Sequence, residues 1–363
     1  MISHQGKTSD LILDNPFKSV HLEPRLEKRL EKIIEAVSES PSKSFPALFP
    51  NRSDLEGVYR FMNNEQVEPS DLIAGAITTA ITGLVKKREQ TFLGVHDTTE
   101  FDFSSSVGVE GLGRLTGKRK GFYGHYTILS TLDREIEGLL GLRTWIRTGE
   151  PTKQKDKHKK YKQKGFDKLP KEKDRWMESI LDAHSRCEEQ DLYNVIHVAD
   201  READDYPSYA TMQEKKIRFV FRVKYDRLIN DQSENHEKLF ESLVQAEASC
   251  EREVVLPPRK QKSRRPIDIK NHPSRKRRTA RLGVSCKAVE ICCPKKYLGQ
   301  LPNALKLNFV RVFEINPPPG EQRVEWKLVT SEPIDSESDL LKIVDMYRAR
   351  WTIDIFQAHC YPR

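Results

Sequence analysis

Tyr193-Asn194-Val195-Ile196-His197-Val198-Ala199-Asp200-Arg201-Glu202-Ala203-Asp204 runs from an apolar segment into an acidic cluster. Its first seven residues form a short apolar run of the kind a strand buried on both faces requires, and the run stops at a carboxylate. Residues 204 to 215 have helical texture, and Ile217 to Val223 is a second strand run.

Upstream, Thr91 to Val95 is a strand-like run that ends at His96-Asp97. Tyr126 to Leu132 and Leu139 to Ile146 are close enough together for an antiparallel meander. Trp176, Ile180, Leu181 and His184 are spaced as on a helix. Three strands, helix, strand, helix, strand is the order of a ribonuclease-H-like sheet, which makes the expected class α/β.

The flanks have other textures. Leu22, Leu26, Leu30, Ile33, Ile34 and Val37 predict an amphipathic helix over 22–39. Ser40 to Pro50 breaks it, and Ser53 or Asp54 is placed to cap a second helix carrying Leu55, Val58, Tyr59, Phe61 and Met62. Residues 1–70 are therefore expected to be a small all-α module. A third helix over about 70–87 opens the remainder, 71–363, with a β-rich insertion at about 245–332. A last helix starts near Asp335 or Ser338 and runs towards the end.

The chain has 363 residues and a net charge of +8, unevenly spread. From Arg259 to Arg281 there are 11 Lys/Arg against Asp268 alone. From Lys153 to Arg175 there are 11 against four acids, which leaves −9 for everything else. Two such tracts on an otherwise acidic chain favour a polyanion, because each neutralised phosphate releases condensed counterions. A solvated loop is the plainer alternative. No run approaches the length of a membrane span, and the start lacks an apolar signal core, so no membrane partner is expected. The six cysteines contain no C-x-x-C, which argues against a zinc site or a disulfide scaffold.

Asp97 and Asp200 each follow a strand run, where rigid elements can hold carboxylates at fixed separation. A single such Asp is usually a turn or cap residue. Two beside a third acid would repel unless a divalent cation neutralised them, and oxygen-only ligands favour Mg2+ or Mn2+. Two such ions can activate a water or 3′-hydroxyl and stabilise the leaving oxygen of a phosphodiester.

The stretch Asp200-Arg201-Glu202-Ala203-Asp204 resembles the signature of bacterial cut-and-paste transposases of the insertion-sequence-four family, the group of the transposon-five enzyme. Similar matches are Glu56-Gly57-Val58-Tyr59-Arg60-Phe61, Ile315-Asn316-Pro317-Pro318 before Trp326, and Tyr347-x-x-Arg350-Trp351-x-Ile353-Asp354, all in family order. The resemblance implies a DDE-type enzyme that nicks transposon ends, passes through a DNA hairpin and joins the 3′-hydroxyl to target DNA. It implies that Asp97, Asp200 and Asp354 hold Mg2+ or Mn2+ and carry catalysis, and that Tyr347 and Arg350 contact end phosphates. A helix continuing through 354 would bring positions 347, 350 and 354 to one face. Trp326 corresponds to a stacking platform for a flipped base; a core tryptophan is the alternative. Arg222 and Lys224 fit phosphate contacts or are ordinary strand-end charges, and Arg275, Lys276, Arg277 and Arg278 are the densest part of the second tract. Double-stranded DNA, as transposon end and target, is the expected partner, with a homodimer assembled on it in the bacterial cytoplasm.

Two departures divide the functional expectation. The family's third acid is glutamate, whereas Asp354 is one methylene shorter, a retraction of roughly 1.3–1.5 Å, and misplacement on that scale can cost about 100-fold in rate. The ending His359-Cys360-Tyr361-Pro362-Arg363 lacks the family's following lysine and the C-terminal helical region that pairs subunits. An active transposase and a truncated relative that only binds DNA ends, or inhibits an intact copy, are thus both expected readings. A generic ribonuclease-H-like nuclease is a more distant one.

Overall fold

The computed structural model describes residues 22–41, 43–147, 172–229, 237–260 and 273–353. These form two compact units, 1–159 with 181–194 and 351–363, and 160–180 with 195–350.

The first unit opens with helices α1 (Pro24–Glu39), α2 (Phe45–Leu48), α3 (Arg52–Met62) and α4 (Pro69–Lys86). Leu26, Leu30 and Ile33 of α1 lie one turn apart and bury against Val58 and Phe61 of α3, with Phe49 and Val67 closing the cluster. The cap of α3 is Asn51, one turn boundary earlier than the sequence suggests. Its side chain accepts from the Ser53 amide at 2.9 Å, so Ser53 serves as the recipient of the cap.

Strands β1 (Phe92–Asp102), β2 (Gly113–Arg114), β3 (Lys120–Thr131) and β4 (Ile136–Trp145) follow. β3 pairs antiparallel with β1, β2 and β4, which is the expected meander with one two-residue addition. β1 does not stop at Asp97, as its apolar run predicts. It continues through Thr98-Thr99-Glu100-Phe101-Asp102, because these residues, of which only Phe101 is buried, pair in register with Gly121–His125. Half-burial leaves only a weak apolar signal, so the strand outlasts its hydrophobic run. Close pairing also needs Gly121: a Cβ there would overlap the Phe101 carbonyl oxygen. Gly121→Ala is expected to cost about 3 kcal/mol, at the upper end for overpacking, read as a lower urea midpoint with an unchanged slope.

The second unit contains β5 (Val195–Ala199), a short 3-10 turn at Arg201–Ala203, α6 (Tyr206–Glu214) and β6 (Phe219–Arg222), and α5 (Glu172–Glu188) crosses the division between the units. Then come α7 (Leu239–Gln245), β7 (Cys250–Leu256), β8 (Arg278–Cys292), β9 (Ala304–Glu314), β10 (Glu325–Thr330) and α8 (Glu337–Ala349). β5 and β6 are parallel; the order continues β6-β10-β9-β8-β7 with every further pair antiparallel. The strands expected as an insertion therefore extend the β5–β6 sheet through β10, making one mixed sheet of six strands in this unit.

α8 begins where Ser336 accepts from the Asp339 amide at 3.2 Å. It ends at Ala349, with the Arg350 amide bonding back to the Tyr347 carbonyl. That three-residue closure tightens the last turn at Arg350, and helical residues resume at 352–353, the last described ones. Among the described residues no helix is long and apolar enough to cross a membrane.

Candidate functional site

The second unit brings together most of the residues singled out in the sequence. Asp200 follows β5 directly and caps the 3-10 turn, its Oδ1 accepting from the Glu202 amide at 2.7 Å. In the parallel β5–β6 ladder Ala199 stands opposite Phe221, so Asp200 and Arg222 are the next residues along two neighbouring strands. Ligand sites in open α/β sheets form at such carboxyl ends. Arg222 is half-buried and reaches the Glu325 carbonyl at 3.5 Å; Lys224 is exposed, its ammonium 5.4 Å from the Tyr225 ring centroid.

Asp204 has a different part from Asp200. Its side chain is fully buried. Oδ1 accepts from the Tyr209 hydroxyl at 2.6 Å and pairs with Arg227 at 2.5 Å, while Oδ2 accepts from the backbone amides of Lys224 at 2.5 Å and Tyr225 at 2.9 Å. Burial, together with the neighbouring Asp204 charge, raises the Tyr209 phenol well above its ordinary range. This hub was not legible in the sequence. The only hint was a second Asp in the signature followed by a tyrosine five residues on.

Trp326 lies on β10, half-buried, with its ring centroid 5.8 Å from that of Tyr347 at an interplanar angle of 58°. Tyr347 is itself buried on α8, and Arg350, just past the helix end, is also buried. In the antiparallel rows Leu328 stands opposite Arg222, so Trp326, two residues away, shares the sheet face of Arg222. Arg222, Trp326 and Tyr347 are thus assembled by β6, β10 and α8. Asp354 lies outside the described residues.

The basic tracts divide. Residues 153–171 and 261–272 lie outside the described residues. In the second tract, Lys276 and Arg277 are exposed. Arg278 is not available to an outside anion: its guanidinium pairs with buried Glu314 and with Glu321. Arg275 donates to the Pro257 carbonyl at 3.0 Å, tying the residue run that leads into β8 to the one that leaves β7.

Asp97, in the first unit, stands opposite Tyr126 within the β1–β3 ladder. The alternate face carries a buried polar cluster. His96 Nδ1 lies 3.3 Å from His125 Nε2 and 3.0 Å from Thr127 Oγ1, and His125 Nδ1 lies 2.9 Å from Thr98 Oγ1. Burial, and then the Arg143 charge, hold His125 neutral down to about 3. In the unfolded chain a histidine takes its proton near 6.5. Below that pH the unfolded state binds a proton that the folded state refuses, so stability falls as pH drops from 6.5 towards 3. The slope is about 1.4 kcal/mol per pH unit, or about 2 kcal/mol between pH 6.5 and 5. Urea unfolding at these two values should show the loss, and His125→Gln should flatten the dependence.

Each of Asp97 and Asp200 offers carboxylate oxygen, the donor type that magnesium and manganese take, and the imidazole of His96 points to the opposite strand face from Asp97. Asp204 does not fit, since both of its oxygens are taken up by internal donors. Among the described residues no group of three His, Cys, Asp or Glu side chains is placed to hold a metal.

Comparison with known proteins gives likenesses of two kinds. The structure of a piggyBac transposase synaptic complex with hairpin DNA is similar over 93% of this chain and 59% of that chain, at 11% identity and a TM-score of 0.39, so this chain spans less than two thirds of that neighbour's length. Residues 12–67 match the family described as Transposase DNA-binding. The matched segment takes in α1, α2 and α3, and this helical part of the chain is therefore similar to the DNA-binding module of transposases.

Proposed function

We propose that the protein is a metal-dependent DNA transposase of the DDE type, of the insertion-sequence-four kind, acting as a homodimer on the ends of its own element in a bacterial cytoplasm. The observation that carries this reading is the transposase DNA-binding match at residues 12–67, on a chain that also bears strand-borne carboxylates. In this reading the catalytic part, from residue 71 on, is ribonuclease-H-like. Asp97, Asp200 and Asp354 would hold Mg2+ or Mn2+, which activates the attacking hydroxyl and stabilises the leaving oxygen. Arg222 and Lys224 place phosphates beside Asp200, while exposed Lys276 and Arg277 hold the flanking duplex by charge. The half-buried Trp326 ring, backed by Tyr347, presents a surface on which an unstacked base can lie.

A second reading is specifically favoured by Asp354, the shortened third acid: a protein that holds transposon ends without cutting them. Incubating the full chain with a duplex carrying the end of its own element separates the two. The proposed enzyme nicks at the end boundary with manganese or magnesium and not with chelator. Tight binding without nicking in either metal overturns it in favour of the second reading.

A further inference from the structure

We infer that Asp204 and Arg227 form a positioning clamp that fixes the end of β6, and with it Lys224, against the Asp200 turn, so that the carboxylate and the lysine address the same DNA phosphate. The inference rests on the transposase reading and adds to it a role for two residues placed outside the phosphate- and metal-contacting set.

Asp204 immediately follows the turn that Asp200 caps, so its backbone position is tied to that of Asp200. Its Oδ2 holds two consecutive amides, those of Lys224 and Tyr225, in the segment that leaves β6. Its Oδ1 is held by Tyr209 of α6 and by Arg227, three residues beyond Lys224. One carboxylate thus fastens three pieces of chain, from both sides. Arg227 is itself confined: its guanidinium lies 5.4 Å from the Tyr209 ring centroid and 5.6 Å from that of Tyr225, and its carbonyl accepts from the Leu239 amide at 2.9 Å. Tyr225 in turn lies under the Lys224 ammonium. The chain from Asp204 to the Lys224 head is therefore continuous. A carboxylate accepting charged and amide donors at this burial is a strong, directional tie, and loosening it releases the lysine without removing it.

The sign of the electrostatics makes the test sharp. Asp204→Asn adds one unit of net positive charge, so a mere charge effect strengthens DNA binding. A released lysine weakens it. Binding of the full chain to a duplex carrying its element's end is followed by fluorescence anisotropy across a salt series, and the slope of log K against log[salt] counts the phosphates contacted, at about 0.9 per contact. Lys224→Ala should lower the slope by about one contact. Asp204→Asn should lower it by as much, and the double variant should show no further fall, because both act through one contact. Arg227→Lys, which keeps the buried charge but not the fork, should move in the same direction and serves if Asp204→Asn does not fold.

An unchanged slope in a folded Asp204→Asn or Arg227→Lys, or effects that add with Lys224→Ala, overturns the clamp. Absence of salt-dependent binding by the wild type is a separate result. It overturns the transposase reading on which the clamp rests.

Discussion

Asp200→Asn is expected to lower single-turnover nicking by about 10³-fold or more while leaving duplex affinity within about twofold of wild type. The size follows from what a bound divalent ion contributes: several kcal/mol of charge stabilisation that exists only in the transition state, at 1.36 kcal/mol per tenfold in rate. Loss of one carboxylate charge at the end of β5 removes a ligand without disturbing the apolar strand behind it, since Val195–Ala199 is buried independently of that side chain. The amide oxygen of asparagine can still accept from the Glu202 amide, so the 3-10 turn is kept. Affinity should persist because phosphate contacts come from lysine and arginine, and removing an acid from their neighbourhood does not weaken them. A loss of nicking that merely tracks a loss of binding would be a folding defect, which circular dichroism of the variant would show.

Arg278→Ala is expected to cost about 3–5 kcal/mol in stability, a factor of roughly 10²–10⁴ in the folded-to-unfolded ratio, because it strands a buried carboxylate. Glu314 is 2% exposed, and besides Arg278 it accepts from the Val324 amide at 3.2 Å. Burial alone would raise the Glu314 carboxyl, but the Arg278 hydrogen bonds more than offset it and hold the pKa below its ordinary value. With a depressed folded pKa, the stabilisation is fully present above the unfolded pKa, near 4.5, and is lost as pH falls from there through the lower folded value. The variant should therefore differ most from wild type at neutral pH and converge with it in acid. Urea unfolding at two pH values measures this. Lys276→Ala and Arg277→Ala should do the reverse, sparing stability and lowering the salt slope of DNA binding by about one each.

The contrast between these arginines shows what a sequence can disclose. Four consecutive basic residues, Arg275 to Arg278, look alike as charges. Only the fold, in which the Arg278 guanidinium bonds to the Glu314 carboxylate at the end of β9, separates an internal cation from external ones. The strands β3 to β6 were legible as short apolar runs, and the helices α1, α3 and α4 by apolar positions at helical spacing. The second half of β1 was not, since most of its residues are half-buried and its signal is the register with β3. Asp200 was set apart in the sequence by its place at the strand end, whereas nothing there marked the role of Asp204. Their difference lies in donors supplied from α6 and from beyond β6, residues 209 and 224 to 227. The three-residue closure at Arg350 was not legible either, as the spacing of Tyr347, Arg350 and Asp354 says nothing about a turn that closes three residues back.

Replacing one non-bridging oxygen by sulfur at the scissile phosphate of the element's end, and following nicking in two metals, asks whether a divalent ion touches the phosphate being cut. Magnesium prefers hard oxygen, whereas manganese tolerates sulfur better. The sulfur substitution should severely slow nicking in magnesium, and manganese should restore it. Equal rates on both substrates in both metals, or no nicking of either, would contradict the claim that strand-borne carboxylates bring a divalent ion to the phosphate being cut.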